Sequence, residues 1–254
     1  MEGQAGLFGN RRNRFTLEDH PDVTARAIAI GIGGIGCKTV RRMVEARIQG
    51  VELAAVDTDI RELRHSNAPI TLEIGVPLTQ GLGCCGNPQL GRRAALDEVE
   101  RILDLIKGFD MVFVIGGEGG GTFTGAAPIF AGLACEVGAI AVAAATMPFS
   151  LQGLTRRRLA EVGIRELKEA ANAVIAVPNE DSHRTPDDGV LRGDTVSHTE
   201  DLFCRTVRDL AEIVTKPGIL KVEFCDLQAV MQKRKVILIG TGISEGPNRA
   251  AEAV

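Results

Sequence analysis

A run of glycine and threonine near the middle of the chain constrains its fold more than any other feature. Five of the six residues in Gly116–Gly121 are glycine, and Thr122–Thr124 follow them. The apolar run 111–115 predicts a buried strand before this stretch, and Gly125–Val137 predicts a helix after it. A glycine loop between a strand and a helix N-terminus exposes backbone N–H groups that can hold a phosphate. A plain turn is the alternative, but a turn needs only one or two glycines.

A second glycine loop, 31–36, follows the predicted strand 27–32 and leads into a predicted helix over 38–48. Alone, this loop is a weak dinucleotide fingerprint, and Asp57 or Asp59 would supply the acid that a Rossmann site needs after the second strand. A Rossmann oxidoreductase that uses NAD is therefore one hypothesis. Two anion-binding loops on neighbouring strands favour a nucleoside triphosphate instead. Neither loop is closed by Gly-Lys-Ser/Thr, so neither is a Walker A motif.

Apolar strands alternate with helical segments along most of the chain, which predicts an α/β, Rossmann-like fold. The sheet should be mainly parallel, with helices on both faces. Ligands bind such sheets at the carboxyl ends of the strands, where the glycine loops lie. The strands are predicted at 27–32, 51–56, 69–74, 111–115, 139–146 and 173–177. The longer helices are predicted at 38–48, 88–107, 125–137, 154–171 and 199–215, and a surface loop at 181–194.

Composition excludes several classes of protein. A net charge of −4 argues against general nucleic-acid binding. The apolar runs are too short or too interrupted for a transmembrane segment, and residues 1–20 lack the apolar stretch of a secretory signal. The six cysteines have no Cys-x-x-Cys spacing and there are only four histidines, so we expect free thiols in the cytosol and no metal site of the protein's own.

The segment Gly119–Gly125 resembles the signature Gly-Gly-Gly-Thr-Gly-Thr-Gly of the tubulin/FtsZ family, with Phe123 in place of one glycine. Further similarity lies at 81–91, 148–156 and 219–231, in the family's order. The resemblance implies a tubulin-type GTPase domain over 23–198 after a mobile arm at 1–22. It also implies a central helix over 199–217, and a catalytic loop with the truncated start of a C-terminal domain over 218–254. Whether the chain is a fragment or a reduced paralogue stays open.

The resemblance also implies GTP or GDP as the ligand, with Mg²⁺ carried by the nucleotide. Asp201 would accept hydrogen bonds from guanine, while Val196 stands where the family has a stacking phenylalanine. Gln152 replaces a ribose-binding glutamate. Asp57 and Thr58 could bind the ligand or cap a helix. The residues expected to bind the nucleotide are Gly33, Gly34, Gly36, Asp57, Thr58, Gly83, Gly86, Asn87, Gly119, Gly120, Gly121, Thr122, Thr124, Gly125, Gln152, Arg156, Asn179 and Asp201.

Asp226, and secondarily Glu223, match the acids of the family's catalytic loop, which inserts into the next subunit's nucleotide site. A carboxylate can position the attacking water there. The resemblance thus implies a self-assembling, head-to-tail bacterial cell-division GTPase of the cytoplasm, at the division site with other division proteins. Lys221 is a departure from the family pattern. A paralogue that binds nucleotide but hydrolyses or polymerises weakly is the alternative.

Phe123 is also expected to weaken the phosphate site. A phenylalanine in the left-handed conformation of a glycine loop costs roughly 1–2 kcal/mol, and its ring would lie near the phosphates. This interpretation predicts that Phe123→Gly raises nucleotide affinity or turnover.

Overall fold

The computed structural model describes residues 25–178, 192–215 and 224–231, together with Gly246 and Ala251. Within these residues the chain builds a six-stranded sheet in the order β3-β2-β1-β4-β5-β6, with every pair of neighbouring strands parallel. The predicted α/β fold with a parallel sheet is confirmed. The strands are β1 Ala27–Ile32, β2 Val51–Asp57, β3 Ile70–Glu73, β4 Met111–Gly117, β5 Ile140–Met147 and β6 Ala173–Pro178.

Helices cover both faces of the sheet because both faces of the central strands are apolar. Along β1, Ile28, Ile30 and Ile32 pack into one core, and Ala27 and Ala29 pack into the other. The first core is completed by α4 to α7, and the second by α1, α8 and α9. The helices are α1 Gly33–Glu45, α2 Ile60–His65, α3 Val76–Thr79, α4 Pro88–Leu96, α5 Val99–Ile106, α6 Thr122–Glu136, α7 Leu154–Ala170, α8 Arg192–Thr215 and α9 Phe224–Met231.

Several helix boundaries differ from the sequence prediction. The helix expected over 88–107 is divided into α4 and α5, with a break at Asp97 and Glu98 where neither glycine nor proline occurs. The helix α8 begins at Arg192, inside the segment predicted as a surface loop. The short helices α2 and α3 were not predicted, because four to six residues are too few for a helical periodicity to appear.

The glycine loop 31–36 is shaped by close packing of the backbone. A Cβ atom at Gly36 would lie 2.5 Å from the Ile115 carbonyl oxygen, and one at Gly31 would lie 2.2 Å from the Gly36 carbonyl oxygen. The helix α1 therefore begins directly against the ends of β1 and β4. No helix among the described residues is long and apolar enough to cross a membrane.

Candidate functional site

Three loops meet at the carboxyl edge of the sheet, around the end of β4. Gly121, at the start of α6, faces a third loop, 81–87: a Cβ atom added to Gly121 would lie 2.5 Å from Cys84 Cβ and 2.9 Å from the Asn87 nitrogen. A Cβ atom at Gly33, where α1 begins, would lie 3.5 Å from the Phe123 nitrogen. The structure therefore brings together the three loops that the sequence predicted to bind one ligand.

A buried polar network lies beneath the glycine loop 116–121. The Thr58 and Thr122 hydroxyl oxygens are 2.9 Å apart, and the Thr122 hydroxyl donates to Asp57 Oδ1 at 3.2 Å. Burial raises the pKa of Asp57 to about 6, although the backbone N–H groups of Thr58 and Asp59 and the Thr122 hydroxyl oppose this rise. The cap of α2 is Asp59, which accepts from the Arg61 nitrogen. The segment 56–59 thus supplies the cap of α2 through Asp59, while Asp57 and Thr58 lie against Thr122 at the start of α6.

The loop between β4 and α6 is joined to the first turn of α6 by a hydrogen bond. The Gly119 N–H donates to Thr124 Oγ1 at 2.9 Å. Gly119 has a φ of +80°, and a Cβ atom there would lie 2.6 Å from the Arg156 carbonyl oxygen. Gly120 lies within this loop, and Gly120 and Gly121 both have negative φ. A side chain at position 119 would strain the backbone, so this turn of the loop requires glycine.

Phe123 does not have the conformation that the sequence suggested. It lies in the first turn of α6, it is absent from the residues with positive φ, and its side chain is 2% exposed. Its ring packs over Gly116, where a Cβ atom would lie 2.1 Å from Phe123 Cδ2. The expectation of a left-handed Phe123 is wrong, because the left-handed turn of the loop occurs earlier, at Gly119.

The other predicted glycines and Asn87 have mixed roles. Gly34 and Gly36 lie in the first turn of α1, and Gly83 and Gly86 bend the third loop with φ of +83° and +76°. The Asn87 side chain caps α4, accepting from the backbone of Gln89 and Leu90. Gly125 packs α6 against α4, since a Cβ atom there would lie 2.0 Å from the Pro88 carbonyl oxygen.

A cavity of about 140 Å³ opens beside these loops. The predicted residues Gln152 and Arg156 line it, near the start of α7. Glu118, Thr146, Lys38 and Glu200 also line it. Glu118, Thr146 and Glu200 were not among the predicted site residues. Glu118 carried a signal that could have identified it, since it is the only charged residue in the run of glycines.

Three polar groups in the cavity wall have no hydrogen-bond partner among the described residues. They are both carboxylate oxygens of Glu118, Thr146 Oγ1 and Arg156 Nε, and all of these atoms are buried. A buried polar group without a partner costs roughly 1–3 kcal/mol. An acceptor, a hydroxyl and a donor thus belong to three residues that line one cavity, which fits a polar ligand that both donates and accepts hydrogen bonds.

The acid predicted to read the base does not line this cavity. Asp201 instead accepts two hydrogen bonds from the Arg42 guanidinium, at 2.5 and 2.8 Å, and so joins α8 to α1. Its neighbour Glu200 lines the cavity. Burial raises the pKa of Glu200, and the positive charges of Arg42 and Lys38 oppose this rise. No sequence pattern indicates the pair of Arg42 and Asp201, which are 159 positions apart.

Several predicted features lie outside the described residues, namely the arm at 1–22, Asn179, Lys221 and Glu223, as does the side chain of Val196. Asp226 is described and lies in the first turn of α9, where it is exposed. Among the residues that the structure describes, no group of three or more His, Cys, Asp or Glu side chains could hold a metal ion.

Glycine loops at the carboxyl ends of adjacent parallel strands define a phosphate-binding α/β domain. The particular family follows from comparison with known proteins. The model of the GTPase domain of the tubulin/FtsZ family matches residues 26–185, and the chain belongs to this family.

Individual relatives agree with this assignment. The chain is 39% identical over 239 residues to the cell division protein FtsZ of Pseudomonas aeruginosa, covering 94% of this chain and 61% of that protein. It is 41% identical over 225 residues to FtsZ 1 of Archaeoglobus fulgidus, covering 89% and 61% of the two chains. It thus spans about 60% of the length of these curated relatives.

Solved structures show the same fold. An empty FtsZ dimer from M. jannaschii superposes with a TM-score of 0.85 at 35% identity, covering 92% of this chain and 68% of that one. CetZ2 from Haloferax volcanii, a protofilament with bound GTPγS, superposes with a TM-score of 0.70 at 21% identity, covering 83% and 64% of the two chains. The second likeness shows the fold alone.

Proposed function

We propose that this chain binds GTP and GDP across its three glycine loops. The observation that carries the proposal is the set of unpartnered groups on Glu118, Thr146 and Arg156, which line one cavity beside the Gly119–Gly121 loop. The loop and the start of α6 would hold the phosphates. Sugar hydroxyls can both donate and accept, which matches the unpartnered groups and Gln152.

The base would lie towards α1 and α8, where Lys38 and Glu200 line the cavity. A carboxylate accepts from the N1–H and N2–H₂ groups of guanine, and adenine offers no such pair of donors. Glu200 is the acid of α8 that lines the cavity, while the predicted Asp201 is engaged by Arg42. Mg²⁺ would arrive with the triphosphate, since it is commonly held by phosphates, water and few protein groups.

Isothermal titration with GTP, ATP and NAD tests the nucleotide proposal. GTP should bind at least tenfold more tightly than ATP, a difference of about 1.4 kcal/mol. Equal affinity for the two, or tighter binding of NAD, would refute guanine recognition and favour the Rossmann oxidoreductase.

A pair of identical substitutions tests the position of the site. Gly121 precedes α6, and Gly121→Ala would place a Cβ atom 2.5 Å from Cys84 Cβ. Gly132 lies within α6, and the Cβ atom of Gly132→Ala would have no neighbouring atom within 4 Å. Only Gly121→Ala should weaken GTP binding. If both variants bind as the unchanged chain does, the phosphates do not lie on this loop.

We further propose that GTP is hydrolysed between head-to-tail subunits, with Asp226 and Glu223 acting on the neighbour's nucleotide. The family's catalytic loop and the position of Asp226 at an exposed helix start support this proposal. Turnover per molecule should rise with protein concentration. Asp226→Ala should abolish turnover and leave GTP affinity nearly unchanged, while the exposed acid control Asp209→Ala on α8 should change neither.

Mixing variants separates catalysis in trans from a self-contained site. Asp226→Ala protein and Gly121→Ala protein should recover part of the activity together, because each supplies the half that the other lacks. Turnover that is constant under dilution would contradict the head-to-tail arrangement. Absence of turnover at every concentration, with GTP still bound, would favour the weakly active paralogue, for which Gln152, Val196 and Lys221 are the family departures.

We also propose a cell-division role in the cytoplasm, with copies of this chain and other division proteins as partners. The support is the name of its relatives, which are cell division proteins. A fluorescent fusion should form a band at the division site, and uniform fluorescence through the whole cell cycle would contradict this role.

A further inference from the structure

Glu118 is a buried acid of the cavity wall whose protonation state the proposed function does not assign. It follows the end of β4, and its backbone N–H donates to the Thr146 carbonyl oxygen at 2.9 Å. Its side chain is 1% exposed, and neither carboxylate oxygen has a hydrogen-bond partner among the described residues. A carboxylate so deeply buried and without a partner is costly in its ionised form.

The carboxylate lies between the start of α6 and the middle of α7. A Cβ atom at Gly163 would lie 2.1 Å from Glu118 Oε2 and 2.7 Å from Thr124 Cγ2. The glycine at position 163 of α7 therefore provides the space that the Glu118 carboxylate occupies. The other face of that space is Thr124, in the first turn of α6.

The charged groups on the surrounding elements do not neutralise Glu118. On α7, Glu166 adds negative charge, and it is ion-paired with Arg92 of α4. The α7 residue Arg156 lines the same cavity, but its Nε has no partner among the described residues. The first turn of α6 has no acidic residue. Lys38 and Glu200, on α1 and α8, line the cavity from the other side.

These surroundings favour the protonated acid. Burial raises the pKa of Glu118 to about 7, and the negative charge of Glu166 raises it further. The Thr124 hydroxyl and the Gly119 N–H lie near enough to oppose the rise, although neither makes a hydrogen bond of ordinary geometry with the carboxylate. The same first turn of α6 and the Gly119 loop form the proposed phosphate cradle. An ionised Glu118 would thus place a negative charge beside a bound phosphate, and the two anions would share one helix N-terminus.

We propose that Glu118 couples nucleotide binding to proton uptake, so that the loop holds the phosphates with Glu118 protonated and releases them more readily when Glu118 is ionised. This inference rests on the proposed binding of GTP and GDP. Its sign follows from linkage. A bound anion raises the pKa of Glu118, so binding takes up a proton and affinity falls as the pH rises through about 7.

Titration calorimetry with GDP tests the coupling, in pairs of buffers that differ in ionisation enthalpy, at about pH 6, 7 and 8. Such pairs give the number of protons taken up on binding. The matched control is Glu118→Gln, which has the same shape and cannot ionise. The dissociation constant of the unchanged chain should rise about tenfold more than that of the variant between pH 6 and 8, as expected for one linked proton. Protonation of the GDP phosphates changes with pH in the same way for both proteins, so its effect on the dissociation constant cancels in the comparison.

The results separate this inference from the proposed function. If both proteins bind GDP with equal proton uptake and parallel pH profiles, the coupling through Glu118 is wrong and nucleotide binding stands. If neither binds GDP at any of these pH values, both proposals are wrong.

A second variant keeps the test decisive if Glu118→Gln does not fold. Glu166→Gln removes the acid that raises the pKa of Glu118 and leaves the Arg92 charge without its partner. The midpoint of the pH dependence should therefore move to lower pH. A midpoint that does not move would overturn the inference.

Discussion

Truncation of Phe123 should destabilise the domain and should not improve the nucleotide site. The side chain is 2% exposed and belongs to the core that α4 to α7 form on one face of the sheet. Its ring also covers Gly116, near the end of β4, where a Cβ atom would lie 2.1 Å from Phe123 Cδ2. Removing a buried phenylalanine ring to alanine costs about 3–5 kcal/mol, and glycine in a helix adds about 1 kcal/mol.

Urea unfolding measures this loss as a lower transition midpoint at an unchanged slope. Phe123→Ala should lose about 3–5 kcal/mol. The control Leu154→Ala removes an apolar side chain that is 73% exposed and should change the free energy of unfolding by less than about 0.5 kcal/mol. GTP affinity of Phe123→Gly should be equal to or lower than that of the unchanged chain. A loss below about 1 kcal/mol, or tighter GTP binding by Phe123→Gly, would refute the core role and restore the interpretation made from sequence.

Three further predictions follow from the site. Burial raises the pKa of Asp57 to about 6, above its unfolded value, so the stability it contributes is present at low pH and lost as the pH rises through about 6. Asp57→Asn should therefore raise the urea midpoint near pH 8, and the gain should disappear near pH 4. Gly163→Ala should lower the free energy of unfolding by about 1–3 kcal/mol, because its Cβ atom would meet the Glu118 carboxylate. A double-mutant cycle measured by urea unfolding should show a smaller loss when Glu118 is also replaced by alanine. Glu200→Gln should shift nucleotide preference from GTP towards xanthosine triphosphate in competition binding, and Asp201→Asn should not. The reverse result would mean that Asp201, and not Glu200, recognises the base.

The sheet and its ligand-binding edge could be predicted from the sequence because both depend on local patterns. Runs of β-branched and small apolar residues predicted all six strands, usually to within one or two residues of their ends. The glycine loops could be placed at the carboxyl ends of β1 and β4 because glycine stretches interrupt the apolar periodicity there. Asp57, Thr58 and Thr122 were correctly expected near one another, since parallel strands end at the same edge.

Local sequence patterns did not predict those helix boundaries and side-chain positions that depend on tertiary packing. The division between α4 and α5 has no glycine or proline to mark it. Phe123 looked like a strained residue of a glycine loop, but α6 begins at Thr122 and carries the ring into the core. Whether a residue is helical or left-handed at such a boundary depends on what lies around it, here the small surface of Gly116.

The sequence by itself thus determined the order of strands and helices, the parallel sheet and the glycine loops that form a phosphate cradle. Only the tertiary structure decided which polar groups have partners. Arg42 engages Asp201 across 159 positions, whereas Glu118 is enclosed by α6 and α7 with no partner among the described residues. The physical reason is that periodicity and turn chemistry act between neighbours in the chain, while burial and pairing of charges depend on atoms that folding alone brings together.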